Sequence, residues 1–382
     1  MEREIESLPQ LLDHLGLLLA NSVEAATTAL DADNLDQILL TGCGDSHHVG
    51  LAAALAFRQL VHVPTSAVTS MQCARFMVSY LPHPPSRTLV VTVSSSGKVS
   101  RTMEALELAN QAGAQTLAVT KDPASPLGRA ADVVFVVPEL SKPKQPRTDI
   151  FPGTHSLIGS LMALFHLAVQ LAVDKRQLKA TEAQGLRAEL TDLTHQTQNV
   201  LEGLGATVAD AARRWLKSDC FVFCGCGPAL GSAHAYAAKL VEAAGDLAVV
   251  QDLEEWAHLQ YFGRQADTPT FLISSGERDA DRLQEVSVAA KAIGRRVVIV
   301  TPQSAEMFAP DSADWIWSVS RSVRDCFSSA LTVLPGLLFA SERSSLLKEP
   351  YFRAFSGGRS REGGGGISRI QSSRRWPKLP DN

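Results

Sequence analysis

Val91-Thr-Val-Ser-Ser-Ser-Gly-Lys-Val-Ser100 joins a run of β-branched residues to a serine-rich turn, and an amphipathic segment, residues 101–110, follows it. The pattern predicts a buried parallel strand that leads into a helix. Because the first N–H groups of a helix lack intrahelical partners and carry partial positive charge, this junction suits a phosphate group. Gly97 would let the backbone approach such a ligand closely. A plain serine-rich helix cap fits the same residues, and the rest of the chain favours phosphate.

Two other segments repeat one design, in which a short apolar strand ends in a Gly-x-Gly turn before a helix. Ile38-Leu-Leu-Thr-Gly-Cys-Gly44 is the first copy, and Phe221-Val-Phe-Cys-Gly-Cys-Gly227 is the second. In each half, β-branched runs then alternate with segments long enough for a helix, which predicts a parallel sheet with both faces covered. Further strands are expected at residues 88–93, 116–120, 133–137, 270–274, 296–301 and 315–319.

The predicted fold class is α/β, with two tandem domains that arose by duplication, each a flavodoxin-like, three-layer αβα arrangement. Ligands bind at the carboxyl ends of the strands in such sheets, so the Gly-x-Gly turn and the serine loop of the first domain should share one rim. The expected organisation is an N-terminal helical segment (1–34), a first domain (35–180), a helical connector (181–205), a second domain (206–340) and a Gly/Arg-rich tail (341–382).

Composition and charge exclude several classes of function. The chain has 382 residues and a net formal charge of -4, so it lacks the basic balance of nucleic-acid-binding proteins. The most apolar run, residues 157–173, contains His166 and Gln170 and is short for a membrane span, so we expect a buried helix and no membrane partner. No secretory signal is recognisable, and the six cysteines lie at no framework spacing, which favours a reduced, cytoplasmic protein.

Neither a metal nor a cofactor is expected. One residue separates Cys224 from Cys226, whereas zinc knuckles use two or more, so structural thiols are the favoured interpretation. The adjacent His47 and His48 would point in different directions on a helix and seldom chelate one ion. Neither Gly-x-Gly turn completes the dinucleotide fingerprint, and no acidic residue is placed to hold a ribose.

Three groups of residues carry the motifs of a known family. Cys43-Gly-Asp-Ser46 resembles its Cys-Gly-Thr-Ser turn, and Ser94-Ser-Ser-Gly97 resembles its Ser-x-Ser-Gly phosphate loop. The third and most specific group combines Gly225-Cys-Gly227, Lys239-Leu-Val-Glu242 and Glu255-Trp-Ala-His258. Over residues 35–340 the chain thus resembles the double-domain sugar isomerase (SIS) family. Its members include the isomerase half of glucosamine-6-phosphate synthase, phosphosugar isomerases, deaminases and fructosamine deglycases.

The resemblance implies a cytoplasmic, dimeric enzyme that acts on a sugar 6-phosphate without a cofactor. Its site would lie between domains and between subunits. Glu242 would be the base that moves a proton between C1 and C2. His258 would help to open the sugar ring, commonly in the neighbouring subunit's site. The substrate-binding candidates are Ser46, Ser94 and Ser96, which would hold the phosphate, with Ser95, Gly97, Ser100, Asp45 and Glu255 beside them.

The chain also departs from the family's pattern. Val99 stands where threonine is frequent, and Ser100 or Thr102 would then supply that hydroxyl. Asp45 replaces a neutral residue, and because a carboxylate repels a phosphate dianion, we expect it to meet sugar hydroxyls or an amine. The tail is rich in Gly, Ser and Arg, which predicts a flexible, basic segment, and no role is assigned to Lys378.

Three functions stay open on the sequence. The leading one is a phosphosugar isomerase or amino-sugar-6-phosphate deaminase that works through an enediol or enolamine. A fructosamine-6-phosphate deglycase would use the same loop and base with a larger pocket. A non-catalytic phosphosugar-binding regulator is the third, and the presence of both Glu242 and His258 argues against it. No glutaminase domain precedes residue 35, so we expect no release of ammonia from glutamine by this chain.

Overall fold

The computed structural model describes residues 1–140, 150–320, 322–360 and 367–379. Its strands are β1 (Gln37–Gly42), β2 (Thr65–Thr69), β3 (Thr88–Val93), β4 (Gln115–Thr120), β5 (Val133–Val136), β6 (Cys220–Gly225), β7 (Leu247–Asp252), β8 (Pro269–Ile273), β9 (Arg296–Thr301) and β10 (Trp315–Ser318). Its helices are α1 (Glu2–Glu6), α2 (Leu8–Thr27), α3 (Asp45–Ala56), α4 (Ser70–Phe76), α5 (Ser100–Ala112), α6 (Pro126–Ala130), α7 (His155–Asp174), α8 (Ala180–Arg214), α9 (Pro228–Ala243), α10 (Leu253–His258), α11 (Ala280–Ala292), α12 (Ser329–Thr332), α13 (Leu334–Leu347) and α14 (Ile367–Ser372).

The strands form two five-stranded parallel sheets of identical topology. The first has the order β2-β1-β3-β4-β5, and the second has the order β7-β6-β8-β9-β10. The predicted α/β architecture of two duplicated parallel sheets is therefore confirmed, with the flavodoxin-like strand order. In each sheet the second strand along the chain pairs on one side of the first strand, and the third strand pairs on the opposite side of the first. The topological switch points lie between β1 and β3 and between β6 and β8, where ligand sites of such sheets belong.

Side chains of each sheet alternate between two helical layers, because successive residues of a strand point to opposite faces. In the first sheet, Leu39 belongs to an apolar cluster with α4 and α5, whereas Leu40 lies against α3. In the second sheet, Leu272 packs with α10 and α11, whereas Phe271 packs against aromatic rings of α9 and α13. Each sheet thus forms the middle of its own three-layer core.

The edge strands β2 and β7 are missing from the strands expected above. Among the described residues, β2 pairs with β1 alone and β7 pairs with β6 alone. Only the first residue of β2 is buried, and no residue of β7 is fully buried. The Thr-Ser-Ala-Val-Thr sequence of β2 contains no apolar run, whereas β7 contains the short run Leu247-Ala-Val-Val250, a signal that the predicted strands leave out.

α7 confirms that the apolar run at residues 157–173 is a buried helix. It is the one helix in the described part of the chain that is long and apolar enough to cross a membrane. Of its most apolar window, 89% is buried inside the protein, and both His166 and Gln170 are buried with it. Its composition is therefore that of a helix within a protein core.

The chain divides into two compact units that differ from the predicted succession of segments. The first-sheet unit contains the described residues within Leu11–Lys144, His155–Thr191 and Phe355–Asn382. The second-sheet unit contains those within Met1–Gln10, Gln145–Thr154 and Asp192–Ala354. The expected connector, 181–205, is only part of the 35-residue helix α8, and the division falls inside that helix. The expected tail, 341–382, is likewise divided, because its residues up to Ala354 belong with the second sheet.

Part of the tail has a defined place on the first-sheet unit, which corrects the expectation of a flexible segment. The ring of Trp376 lies 4.7 Å from the guanidinium carbon of Arg75, and its backbone N–H donates to Glu104 Oε1 at 2.8 Å. Arg101 donates to Ser373 Oγ at 3.3 Å. We call residues 373–379 the strap. It follows one face of α5, the helix that begins at the serine loop.

Candidate functional site

The two loops expected at one rim of the first sheet do lie side by side. β1 and β3 are neighbours in the sheet, and each ends where its loop begins. Thr102 Oγ1, in the first turn of α5, lies 3.7 Å from Cys43 Sγ in the turn after β1, and 3.2 Å from Ser70 Oγ. The switch point of the first sheet is thus bordered by the Gly-x-Gly turn on one side and the serine loop on the other.

Gly97 fixes the shape of the serine loop. Its φ of +60° lies in the left-handed region, and a Cβ added there would come within 2.1 Å of Ser125 Oγ. The Gly97 N–H donates to Ser94 O at 3.0 Å, and its carbonyl accepts from the N–H of Leu127 at 3.1 Å. A residue with a side chain would therefore be excluded both by conformation and by space.

The loop presents hydroxyl groups that the protein does not itself use. Within the residues that the structure describes, the hydroxyls of Ser94, Ser95 and Ser100 make no hydrogen bond, and the Ser96 hydroxyl accepts one from the Lys98 N–H at 3.3 Å. Val99 is the N-cap of α5, and its apolar side chain cannot occupy the first N–H groups of the helix. Donors at the start of α5 thus remain available to an anion.

Ser46 and Asp45 lie in the first turn of α3. A Cβ on Gly42 would come within 2.6 Å of Ser46 Cβ, so this glycine allows the end of β1 to approach the helix closely. Asp45 Oδ1 lies 3.7 Å from His48 Nδ1, and the Asp45 side chain is 25% exposed. Burial, with the neighbouring His48, lowers the pKa of His47 to about 4, so His47 is neutral at physiological pH.

Glu242 lies on the last turn of α9, in the second-sheet unit. Its Oε2 is 2.8 Å from the Nζ of Lys239, one turn earlier on the same helix. The Lys239 side chain is only 1% exposed, whereas that of Glu242 is 30% exposed. A buried ammonium needs a counter-charge, and Glu242 supplies it, which orients one oxygen of its carboxylate toward Lys239. The other candidates of this unit do not share that turn.

His258 and Glu255 lie on α10 and face solvent. His258, at the end of the helix, is 66% exposed, and its Nε2 lies 3.1 Å from Glu254 Oε1. Glu254 also accepts from Arg282 Nε at 2.6 Å, and the hydrogen bonds from Arg282 and then from His258 lower the pKa of its carboxyl. Glu255 is exposed, and its backbone N–H donates to the N-cap Asp252 at 3.4 Å. Glu254 thus orients the His258 ring. The sequence analysis named His258 but did not anticipate this contact with Glu254.

Asp279 occupies the second serine loop, which the sequence analysis did not anticipate. Ser274-Ser275-Gly276 follows β8, the counterpart of β3, and Asp279 is the N-cap of the next helix, as Val99 is in the first sheet. Ser274 Oγ donates to Asp279 Oδ1 at 2.5 Å, and Asp279 Oδ2 accepts from both the Oγ and the N–H of Ser275. The carboxylate is 4% exposed and takes the donors that an external anion would need. The signal was present in the sequence, as a second serine-glycine turn after an aligned strand.

The cysteines of the second Gly-x-Gly turn are free thiols with raised pKa values. None of the six cysteines forms a disulfide. Burial, with the neighbouring Asp279, raises the pKa of Cys226 to about 12, and the thiol lies 3.5 Å from Asp279 Oδ2. Burial also raises the pKa of Cys224. Protonated thiols are poor metal ligands, which agrees with the interpretation as structural thiols.

Comparison with known proteins identifies one domain in the first half of the chain. Residues 34–165 match the family model described as the SIS domain. This part of the chain therefore contains a SIS domain. Glutamine–fructose-6-phosphate aminotransferase (isomerizing) of Thermosynechococcus vestitus is 26% identical to this SIS-domain protein over 316 residues, which are 81% of this chain and 49% of that protein. The chain therefore spans about half the length of the curated relatives it matches.

Solved structures of similar fold cover both units of the SIS-domain protein. The C-terminal domain of glucosamine-fructose-6-phosphate aminotransferase from Francisella tularensis superposes with a TM-score of 0.79 at 17% identity, covering 91% of this chain and 96% of that one. Tagatose-6-phosphate ketose/aldose isomerase from Escherichia coli gives a TM-score of 0.74 at 20% identity, covering 92% and 94%. At these identities the likeness establishes the fold alone, two tandem αβα units.

Proposed function

We propose that this SIS-domain protein is a phosphosugar isomerase or amino-sugar-6-phosphate deaminase that moves a proton between C1 and C2 of a hexose 6-phosphate. The observation that carries the proposal is the Lys239–Glu242 pair, because the buried ammonium orients a partly exposed carboxylate that can take a proton from a substrate carbon. The open serine loop supports the phosphosugar part, since its hydroxyls and the start of α5 offer donors to an anion.

The proposed reaction begins with phosphate binding and ring opening. The phosphate accepts hydrogen bonds from the hydroxyls of Ser46, Ser94 and Ser96 and from the backbone N–H of Ser100, with Ser95 and Gly97 completing the loop. His258 takes the proton from the C1 hydroxyl and returns one to the ring oxygen as the bond between C1 and that oxygen breaks. Asp45 and Glu255 bind sugar hydroxyls or an amine in this scheme.

Proton transfer follows on the open chain. Glu242 removes the hydrogen from C2 as a proton, and the released electron pair forms the double bond between C1 and C2. The π pair of the C1 carbonyl moves onto the C1 oxygen, which takes up a proton from solvent to give the enediol. Glu242 then returns the proton to C1, and loss of the C2 hydroxyl proton completes the ketose. With a 2-amino sugar the intermediate is an enolamine, and addition of water to the resulting ketimine releases ammonia.

Solvent-deuterium exchange tests the proposal. In deuterated water the wild type should exchange the C2 hydrogen of glucose 6-phosphate or of glucosamine 6-phosphate, and NMR measures the rate of this exchange. Glu242→Gln should abolish it. Glu202→Gln changes an exposed carboxylate of α8 in the same way and should leave the rate unchanged. Binding of both sugars without exchange would refute proton transfer and favour a deglycase or a regulator.

A homodimer with His258 serving the neighbouring subunit belongs to the same proposal. His258 is followed by exposed apolar side chains, Leu259 at 62% and Phe262 at 75%, which suits a surface that becomes covered on association. A mixing experiment tests it. Glu242→Gln and His258→Ala proteins, each inactive alone, should regain up to about a quarter of wild-type activity when subunits exchange, because one site of each mixed dimer is then intact. No recovery in proven mixed dimers would mean that both residues act within one chain.

A further inference from the structure

We propose that Arg353 is a positioning residue that fixes the last turn of α9, and through it the carboxylate of Glu242. The inference rests on the proposed role of Glu242. Both residues belong to the second-sheet unit, although Arg353 follows α13 far along the chain. No motif of the sequence points to it.

The guanidinium of Arg353 caps the carboxyl end of α9. Its Nη2 donates to the carbonyl of Ala243 at 2.9 Å, and its Nη1 donates to the carbonyl of Ala244. Carbonyls at the end of a helix have no intrahelical donor, and a cation there also complements the negative end of the helix dipole. Ala243 directly follows Glu242, so the cap acts on the turn that carries the carboxylate.

Gly245 makes room for this cap. Its φ of +83° ends the helix in the left-handed conformation, and a Cβ added there would come within 2.1 Å of Arg353 Nη1. The Gly245 N–H donates back to Leu240 O at 3.2 Å and to Val241 O at 3.1 Å. The helix end is thus built around the guanidinium, and a larger residue at position 245 would displace it.

The segment that delivers Arg353 has an unusual backbone. Phe352, Arg353 and Ala354 have φ values of 52°, 56° and 52°, in a region unfavourable for any residue with a Cβ. Such conformations persist where the surrounding contacts over-determine them. Arg353 also donates to Pro350 O at 2.8 Å and lies 3.3 Å from Glu349 Oε2, so its own guanidinium holds the turn together.

The cap matters for Glu242 because the two ends of its ion pair are held differently. Lys239 is fixed by complete burial within α9, whereas Glu242 is partly exposed on the final turn. If that turn frays, the backbone of Glu242 moves while the Lys239 ammonium stays. The carboxylate then loses its orientation toward a substrate carbon, even though the phosphate loop, in the other unit, is unchanged.

Kinetics of three variants test the inference. Arg353→Ala should lower kcat for C2–hydrogen exchange by about tenfold or more and leave KM within about twofold, because the reacting carboxylate moves and the phosphate loop does not. Arg353→Lys keeps a cation and a donor and should recover part of kcat. Arg359→Ala, an exposed arginine of the same tail, is the control and should match the wild type. An unchanged kcat in Arg353→Ala, or a loss that appears only in KM, would overturn the positioning role.

Amide hydrogen exchange gives a readout that does not depend on activity. The N–H groups of Ala244 and Gly245 are bonded to α9 carbonyls, and they should exchange about tenfold faster in Arg353→Ala, with loop amides at residues 94–99 unaffected. Unchanged exchange at these two amides would contradict the cap itself. If the wild type moves no C2 hydrogen, the proposed function fails, and the effect of Arg353 on catalysis through Glu242 fails with it. Amide exchange then shows separately whether Arg353 caps α9.

Discussion

At the scale of single residues, the N-cap residue distinguishes the serine loop after β3, whose donors are available to a ligand, from the loop after β8, whose donors are bonded to a carboxylate. Val99 and Asp279 occupy the same place in the two repeats, before α5 and α11. The Asp279 carboxylate accepts hydrogen bonds from Ser274 and Ser275, whereas Val99 offers the serines of its loop no acceptor. A built-in carboxylate satisfies the donors that a phosphate would use, so the phosphate is expected only at the first sheet.

Val99→Asp should therefore close the first loop. The new carboxylate would compete for the loop donors and repel a phosphate dianion, so KM for the sugar phosphate should rise by about tenfold or more. Val99→Thr, which adds a neutral hydroxyl of nearly the same size, should leave KM near the wild-type value. Steady-state kinetics of both variants would check this, and equal KM values for the two would show that the first loop does not hold phosphate.

A second prediction at this scale concerns Gly97. Gly97→Ala places a Cβ against Ser125 in the left-handed region, so the loop must shift and inorganic phosphate should protect the protein from unfolding far less. Gly113→Ala is the matched control, since Gly113 also has a positive φ but nothing lies within 4 Å of its Cβ position. Thermal midpoints with and without phosphate measure both. Equal phosphate protection in the two variants would exclude the loop as the anion site.

At the scale of elements, the strap supplies one of the donors to a buried carboxylate on α5. Glu104 on this helix is completely buried and accepts hydrogen bonds from Arg75 at 3.1 Å and from the Trp376 N–H at 2.8 Å, beside an ion pair with Arg101. A buried carboxylate needs all of these donors. The strap therefore stabilises the helix whose first turn borders the serine loop.

Removal of the strap should destabilise the first-sheet unit and loosen its loop. A chain that ends at Ser372 leaves Glu104 without the Trp376 donor, so we expect a lower thermal midpoint and weaker protection by inorganic phosphate. A chain that ends at Leu379 keeps the strap and serves as the control. If the shorter chain melted and bound phosphate like the control, the contacts of the strap would contribute nothing to the site.

The elements that sequence could predict are those whose burial shapes their composition. β3 is buried along its whole length, and its β-branched run marks it. β2 and β7 bury little and were missed, and the strap lies in a Gly/Arg-rich tail that composition alone describes as flexible. Glu242 was predicted from a motif, whereas Arg353 acts on it through backbone carbonyls, which no residue pattern records.

At the scale of the whole molecule, stability depends on a buried histidine. Neither ring nitrogen of His166 has a hydrogen-bond partner among the described residues. Burial, with the nearby Arg187, lowers its pKa from 6.5 to about 4. Below pH 6.5 the unfolded chain therefore binds a proton that the folded protein does not, so the free energy of unfolding falls as the pH drops from 6.5 toward 4. His47 acts in the same direction.

His166→Leu should weaken this pH dependence. The wild type should lose about 2 kcal/mol of unfolding free energy through His166 between pH 7 and pH 5, and the variant should retain that part. His195→Leu, at an exposed position of α8, is the control and should keep the wild-type slope. Urea unfolding at the two pH values measures the difference. The same slope in wild type and His166→Leu would show that another group controls acid stability.

The proposed function depends on one carboxylate, Glu242, which takes a proton from C2 of the sugar and returns it to C1. The most direct measurement starts from glucose 6-phosphate or glucosamine 6-phosphate that carries deuterium at C2, in ordinary water, and locates the label in the product by NMR. With Glu242 as the base, part of the deuterium should appear at C1 and the rest in solvent. Glu242→Gln should leave the deuterium at C2. Complete retention of deuterium at C1 with no loss to water would indicate hydride transfer, and it would contradict proton transfer by Glu242.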